Sequence, residues 1–156
     1  MSEREQQVGT AFGYVFILAQ RWQNLGDEFL GRWGLTTKQW LLLATMEHFP
    51  GGPPTLGEAS EAYGSSYQNV RRIASDLEMA GFIKLKNDPE DKRTLRLHLT
   101  DKNRAFWAER DSEAQAFVNH LFGSLTDEEV GQLARIIPKL SEHAGEIGQE
   151  LKEGKI

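Results

Sequence analysis

The chain has 156 residues, 39% of them hydrophobic and 26% charged, which suits a single globular domain with a real core and excludes wholesale disorder. It contains no cysteine, so disulfides, thiol catalysis, thiol redox sensing and cysteine-ligated zinc are excluded together. The net charge of -5 is unevenly spread: residues 105–156 hold ten acids and five bases, whereas residues 66–100 hold seven bases and five acids, a mildly positive island.

In chain order, the first predicted helix runs from about Glu5 to Leu30 and carries no charge between Glu5 and Arg21. Val8, Ala11, Phe12, Tyr14, Val15, Phe16, Leu18 and Ala19 cover nearly its whole circumference, and a helix apolar all round must be buried on every side. A domain this small points to a subunit interface for it, with a central core helix as the alternative. The apolar run VGTAFGYVFILA is too short to span a bilayer and no small-residue cleavage pattern follows it, which predicts a cytoplasmic protein with no membrane partner.

Thr36 and Gln39 have capping-box spacing and open a second helix through Trp40, Leu41, Leu43 and Ala44, which the breakers of Pro50-Gly51-Gly52-Pro53-Pro54 terminate. Thr55 and Glu58 repeat the spacing before a short helix to about Tyr63. Gly64 stops that helix and Ser66 is suited to cap the next, so the two form a helix-turn-helix unit whose second helix does the reading. On that helix, 66–78, Val70, Ile73, Ala74 and Leu77 share one side, while Gln68, Arg71, Arg72 and Ser75 share the other. Amide, guanidinium and hydroxyl groups are the side chains that bond base edges and phosphates, and the acids Asp76 and Glu78 come only in the last turns. Tyr67 and Asn69 flank the polar face, and Tyr67 fits either the groove or the edge of the core.

Phe82 to Lys86 and Thr94 to Leu99 alternate at period two and predict a hairpin, with Ile83, Leu85, Leu95, Leu97 and Leu99 facing the core and Lys84, Lys86, Arg96 and His98 facing outward. Its tip, Asn87 to Arg93, carries Lys92 and Arg93 and makes the hairpin (84–99) a candidate wing reaching backbone or minor groove. Two helices follow, Asp101 to about Phe122 and one opened by Thr126-Asp127-Glu128-Glu129. In the latter Val130, Leu133, Ile137, Leu140, Ala144, Ile147 and Leu151 form a continuous stripe suited to pairing, interrupted by Pro138, where a kink is expected.

The fold class is therefore mainly α with a small β-hairpin wing, a winged helix-turn-helix (35–100) on a helical dimerisation frame (1–34 and 101–156). No nucleophile elbow, Gly-rich phosphate loop or marked carboxylate pair is present, and the four histidines lack metal-ligand spacing. Glu142, His143 and Glu146 lie close on one helix and read as a solvated face. These observations call for no catalysis, no metal and no cofactor.

Leu35-Thr36 with Gln39, Leu56-Gly57-Glu58-Ala59-Ser60, Leu77-Glu78-Met79-Ala80-Gly81-Phe82-Ile83, and Asp88-Pro89-Glu90-Asp91-Lys92-Arg93 followed by Leu99-Thr100, in this order and spacing, resemble the MarR (multiple antibiotic resistance regulator) family of bacterial transcription factors. The resemblance covers nearly the whole chain. It implies a homodimer on double-stranded DNA at a pseudo-palindromic operator, with half-sites roughly 34 to 36 Å apart. Carried over by position, it implies DNA contacts from Ser66, Tyr67, Gln68, Asn69, Arg71, Arg72 and Arg93, and wing support from Asp91 by an ion pair to a wing arginine; Ser65, Ser75 and Lys92 join the candidate DNA contacts from the same turn, helix face and wing tip, and Asp88 joins the candidate wing support. It also implies repression relieved by a small aromatic or anionic effector, for which Tyr14, Trp33, Trp40 and Trp107 are the candidate residues. Glu90 departs from a frequent arginine, Tyr67 and Gln68 from small or basic residues, and Asn103 from a glycine. A winged-helix module that binds a protein partner through the same polar face is the alternative.

Overall fold

The computed structural model describes residues 1–156. The elements follow the order α1 (Glu3–Gly31), α2 (Thr37–Glu47), α3 (Leu56–Tyr63), α4 (Tyr67–Met79), β1 (Ile83–Asn87), β2 (Leu95–Leu99), α5 (Asp101–Leu121) and α6 (Asp127–Lys152). The chain divides into two compact units, Met1–Trp107 and Ala108–Ile156.

Helix starts are set by side-chain caps. Ser2, Thr36 and Thr126 each form a complete capping box, with Glu5, Gln39 and Glu129 returning to the cap backbone. At α3 the box stays open: the Thr55 hydroxyl accepts the Glu58 N–H at 3.1 Å, but the Glu58 side chain does not return. Thr55 is held instead by a bridge to Arg96, and the Glu58 carboxylate lies in the field of that arginine.

The core of the first unit is built from Leu35, Leu42, Leu43, Met46, Leu56, Ala59, Val70, Ile73, Ala74, Leu77, Phe82, Ile83 and Leu97, all buried. Each large side chain among them contributes about 1.5 to 3 kcal/mol relative to exposure. The packing of α1 on α2 is close. A Cβ placed on Gly26 would stand 2.3 Å from the Thr37 hydroxyl oxygen, and Thr37 is fixed by its N–H to Asp27 (2.8 Å) and its hydroxyl to the Gln23 carbonyl (3.1 Å).

Upstream, α1 buries only Gly26, Phe29 and Leu30, while Val8, Phe12, Tyr14, Val15, Phe16, Ile17 and Leu18 are 44% to 67% exposed. This disposes of the alternative in which α1 is a core helix of the single chain. In the second unit α6 buries no residue and leaves Ile136, Ile137, Leu140 and Leu151 exposed. It continues through Pro138 without interruption, although the ring supplies no N–H. No helix is long and apolar enough to cross a membrane.

Candidate nucleic-acid interface

The turn between α3 and α4 follows from three residues. Gly64 closes α3 in the left-handed region at φ 79°, where other residues are strained. Ser65 follows, and the Ser66 hydroxyl accepts the Asn69 N–H at 3.2 Å and caps α4. Val70, Ile73, Ala74 and Leu77 are buried on one side of α4, leaving Tyr67, Gln68, Arg71 and Arg72 exposed and Ser65, Asn69 and Ser75 half-buried. Tyr67, at 49% exposed, belongs to the outer surface and not to the core.

The outward residues differ in how they are held. Gln68 and Arg71 make no side-chain bond, whereas Asn69 donates to the Ser65 hydroxyl at 2.9 Å and accepts from Arg72 at 3.2 Å. Arg72 also stands 3.8 Å from Asp76, an exposed pair worth little to stability. The second acid of the helix is withdrawn from the face: Glu78 accepts the Leu85 N–H at 2.6 Å and ties the end of α4 to β1. Burial pushes the Tyr63 phenol up, with Arg72 opposing, and the Tyr63 hydroxyl donates to the Lys38 carbonyl at 3.3 Å.

Between α4 and the hairpin, Gly81 takes φ 84°. Thr100 donates to the Gly81 carbonyl at 2.6 Å, and the Lys102 ammonium donates to Ala80 at 2.6 Å while lying 5.3 Å from the Phe82 ring centre. The strands pair antiparallel, with Ile83 opposite Leu99, Leu85 opposite Leu97 and Asn87 opposite Leu95. The turn leaves the Lys92 and Arg93 side chains exposed and unpaired.

Two sequence expectations for the wing are corrected. Asp91 does not orient Arg93 by an ion pair. Its carboxylate accepts the Arg93 N–H at 3.0 Å and the Thr94 hydroxyl at 2.9 Å, because a short acid in a tight turn meets the backbone two residues on before it meets a long side chain. Arg96, expected to face outward freely, is instead the ion-paired arginine of the wing, joined to Asp88 and donating to the Pro53 carbonyl at 2.8 Å. Asp88 also accepts the N–H groups of Glu90 (2.7 Å) and Asp91 (3.3 Å). The Arg96 hydrogen bond, followed by the Glu90 N–H, holds the Asp88 carboxyl below its ordinary value, and Asp88 in turn raises Arg96. The sequence signal for this pair was an arginine in an alternating strand eight residues after an Asx turn, too common a pattern to single out.

Of the four aromatic residues expected at a ligand cleft, two are in ring contact. Trp33 and Trp107 meet edge to face at 6.2 Å, within a cluster that includes Phe29, Phe82 and Phe106. Asn103, buried, accepts from the Trp107 ring N–H at 3.1 Å. Trp40 on α2 and exposed Tyr14 on α1 have no ring contact with the pair. No group of three or more metal-ligating side chains occurs, and His143 pairs with Glu146 at 2.9 Å.

With this geometry in view, comparison with known proteins is specific. The MarR family model matches residues 33–94, which span α2 through the wing turn. The HTH-type transcriptional regulator PapX of Escherichia coli is 30% identical over 126 residues, 80% of this chain and 76% of that protein. The transcriptional repressor MprA of Escherichia coli K12 is 30% identical over 124 residues, 80% of this chain and 70% of that one. Among solved structures, Sco3205, a MarR family transcriptional regulator from Streptomyces coelicolor in complex with DNA, shares the fold with a TM-score of 0.77 at 20% identity, covering 92% of this chain and 93% of that one.

Proposed function

The chain belongs to the MarR family of transcriptional regulators, and from that premise we propose that it acts as a homodimer on a pseudo-palindromic operator, one α4 per half-site. The observation that carries this reading is the outer face of α4: Gln68 and Arg71 are exposed and unpaired, Arg72 is exposed beside them, and Glu78 is turned away to Leu85. In a major groove, Arg71 and Gln68 read base edges, Asn69 and Ser65 set the direction of Arg72, and Ser66, Tyr67 and Ser75 complete the contact. Lys92 and Arg93 reach the adjacent backbone or minor groove, with the turn between them and β1 shaped by Asp88 and Asp91.

Residues 1–34 and 101–156 supply the dimer frame around the 35–100 reading region. Apolar side chains exposed along α1 and α6 support it, since patches of this extent mark protein interfaces. Repression of transcription in the cytoplasm, relieved by a small aromatic or anionic effector near Trp33 and Trp107, completes the reading. MprA, a repressor by name, supports the repression. Selection from a random DNA pool tests the whole proposal. It is expected to return a two-fold-symmetric sequence with half-site centres about 10 to 10.5 base pairs apart or a multiple of that. A pool with no enriched sequence overturns the proposal in favour of a winged-helix module for a protein partner.

A further inference from the structure

The wing is fastened at a place that its own hairpin does not require. Asp88, with 11% of its side chain exposed, uses one carboxylate oxygen for the N–H groups of Glu90 and Asp91 and the other for the Arg96 Nε. Arg96 extends the other arm of its guanidinium to the carbonyl of Pro53, forty-three residues earlier. The backbone beneath repeats the join, since the Leu97 N–H donates to the Pro54 carbonyl at 2.9 Å and Thr55 bridges to Arg96. Thr55 is also the N-cap of α3, so the segment gripped by Arg96 leads directly into the helix-turn-helix. A planar fork holds a carboxylate and a carbonyl in fixed relative directions, which the freely rotating donors of a lysine ammonium do not. Glu58 and Glu90 add to the acidic surroundings of the guanidinium, which leaves it turned to protein acids and not to a phosphate.

We propose that Arg96 is a positioning residue for DNA binding: by joining Asp88 to the Pro53 carbonyl it holds the 88–93 turn, and with it Arg93, at a fixed place relative to α3 and α4. The inference rests on the DNA-binding reading above. It assigns to Arg96 and Asp88 an effect on affinity without contact to DNA, exerted through Arg93.

The test is a double-mutant cycle on the full-length dimer with its selected operator, accompanied by thermal melts. Arg96→Met is expected to weaken binding about tenfold in the parent chain but less than about twofold in an Arg93→Ala background, because the residue it positions is already gone. Asp88→Asn reproduces the loss, combining it with Arg96→Met adds nothing, and Arg96→Lys falls between parent and Arg96→Met. Should Arg96→Met fail to fold, Arg96→Lys and Asp88→Asn carry the same cycle. Losses from Arg96 and Arg93 that simply multiply overturn the inference, since Arg96 then contacts DNA itself or acts on another part of the site. A parent chain that binds no DNA overturns the reading beneath it as well, whereas multiplying losses overturn this one alone.

Discussion

Gly26→Ala sets two effects of known size against each other. In the middle of a helix the substitution ordinarily stabilises by about 1 kcal/mol, because alanine loses less backbone entropy on folding. Here the new Cβ falls 2.3 Å from the Thr37 hydroxyl oxygen and 3.4 Å from both Thr37 carbons. The hydroxyl must therefore rotate away. That rotation breaks its bond to the Gln23 carbonyl, a loss of about 0.5 to 1.5 kcal/mol, and crowding in the α1–α2 contact adds about 1 to 3 kcal/mol. The costs exceed the gain, and Gly26→Ala is expected to destabilise by about 0.5 to 3.5 kcal/mol, lowering the melting temperature by roughly 2 to 4 °C per kcal/mol. In a Thr37→Ala background the clash and the hydrogen bond are both absent, so the same substitution is expected to stabilise. The assay is thermal or urea unfolding followed by circular dichroism at one fixed protomer concentration. If Gly26→Ala stabilises the parent chain as well as the Thr37→Ala variant, the close contact between α1 and α2 is refuted.

Further outcomes follow from the wing and from the frame. Burial, then the charges of Lys86 and Arg96, depresses the His98 imidazole below its ordinary 6.5. Its contribution to stability is therefore complete above pH 6.5 and lost as the pH falls through the lower folded value, so melting temperature declines with acid in that window and His98→Gln flattens the decline. Asp88 is depressed chiefly by Arg96, and its contribution is present above the ordinary 3.8 and lost only in stronger acid; Asp88→Asn removes this acid limb from a melting series. Phe12, exposed and edge-on to Phe16 at 5.1 Å, lies in the apolar stretch assigned to the dimer frame. Phe12→Glu is expected to weaken association by at least about 3 kcal/mol across two copies, seen as monomer in sedimentation, and an unchanged dimer removes this part of α1 from the interface.

The sequence carried the elements whose signals are local. Thr36 with Gln39 and Thr126 with Glu129 are complete capping boxes, Gly64 and Ser66 set the turn before α4, and the burial of Val70, Ile73, Ala74 and Leu77 follows from helical period alone. The hairpin was legible in part: alternation places Ile83 and Leu97 in the core, but Leu85, Leu95 and Leu99 are only half-buried, and so are Arg96 and His98, which alternation turns outward. What escaped were contacts between distant segments. Nothing in the strand pattern announces that Arg96 turns back to Pro53, and nothing in α1 marks Gly26 as the one glycine pressed against Thr37. The family resemblance implied four aromatics at one cleft, but ring contacts depend on which helices meet, and of the four only Trp33 and Trp107 touch. Tyr67, ambiguous on the wheel beside Val70, lies outside the buried face of α4 that Val70, Ile73, Ala74 and Leu77 form.

The central claim is that α4 reads bases while the wing tip grips the backbone beside them. Fluorescence anisotropy of the selected operator, titrated over a series of salt concentrations, separates these roles for Arg71→Ala and Arg93→Ala. Arg71→Ala is expected to cost about 1 to 3 kcal/mol on the operator and to relax the preference at one base position. Arg93→Ala is expected to weaken operator and unrelated DNA alike and to reduce the salt slope by about 1. Affinities and slopes equal to those of the parent in both variants would contradict the account.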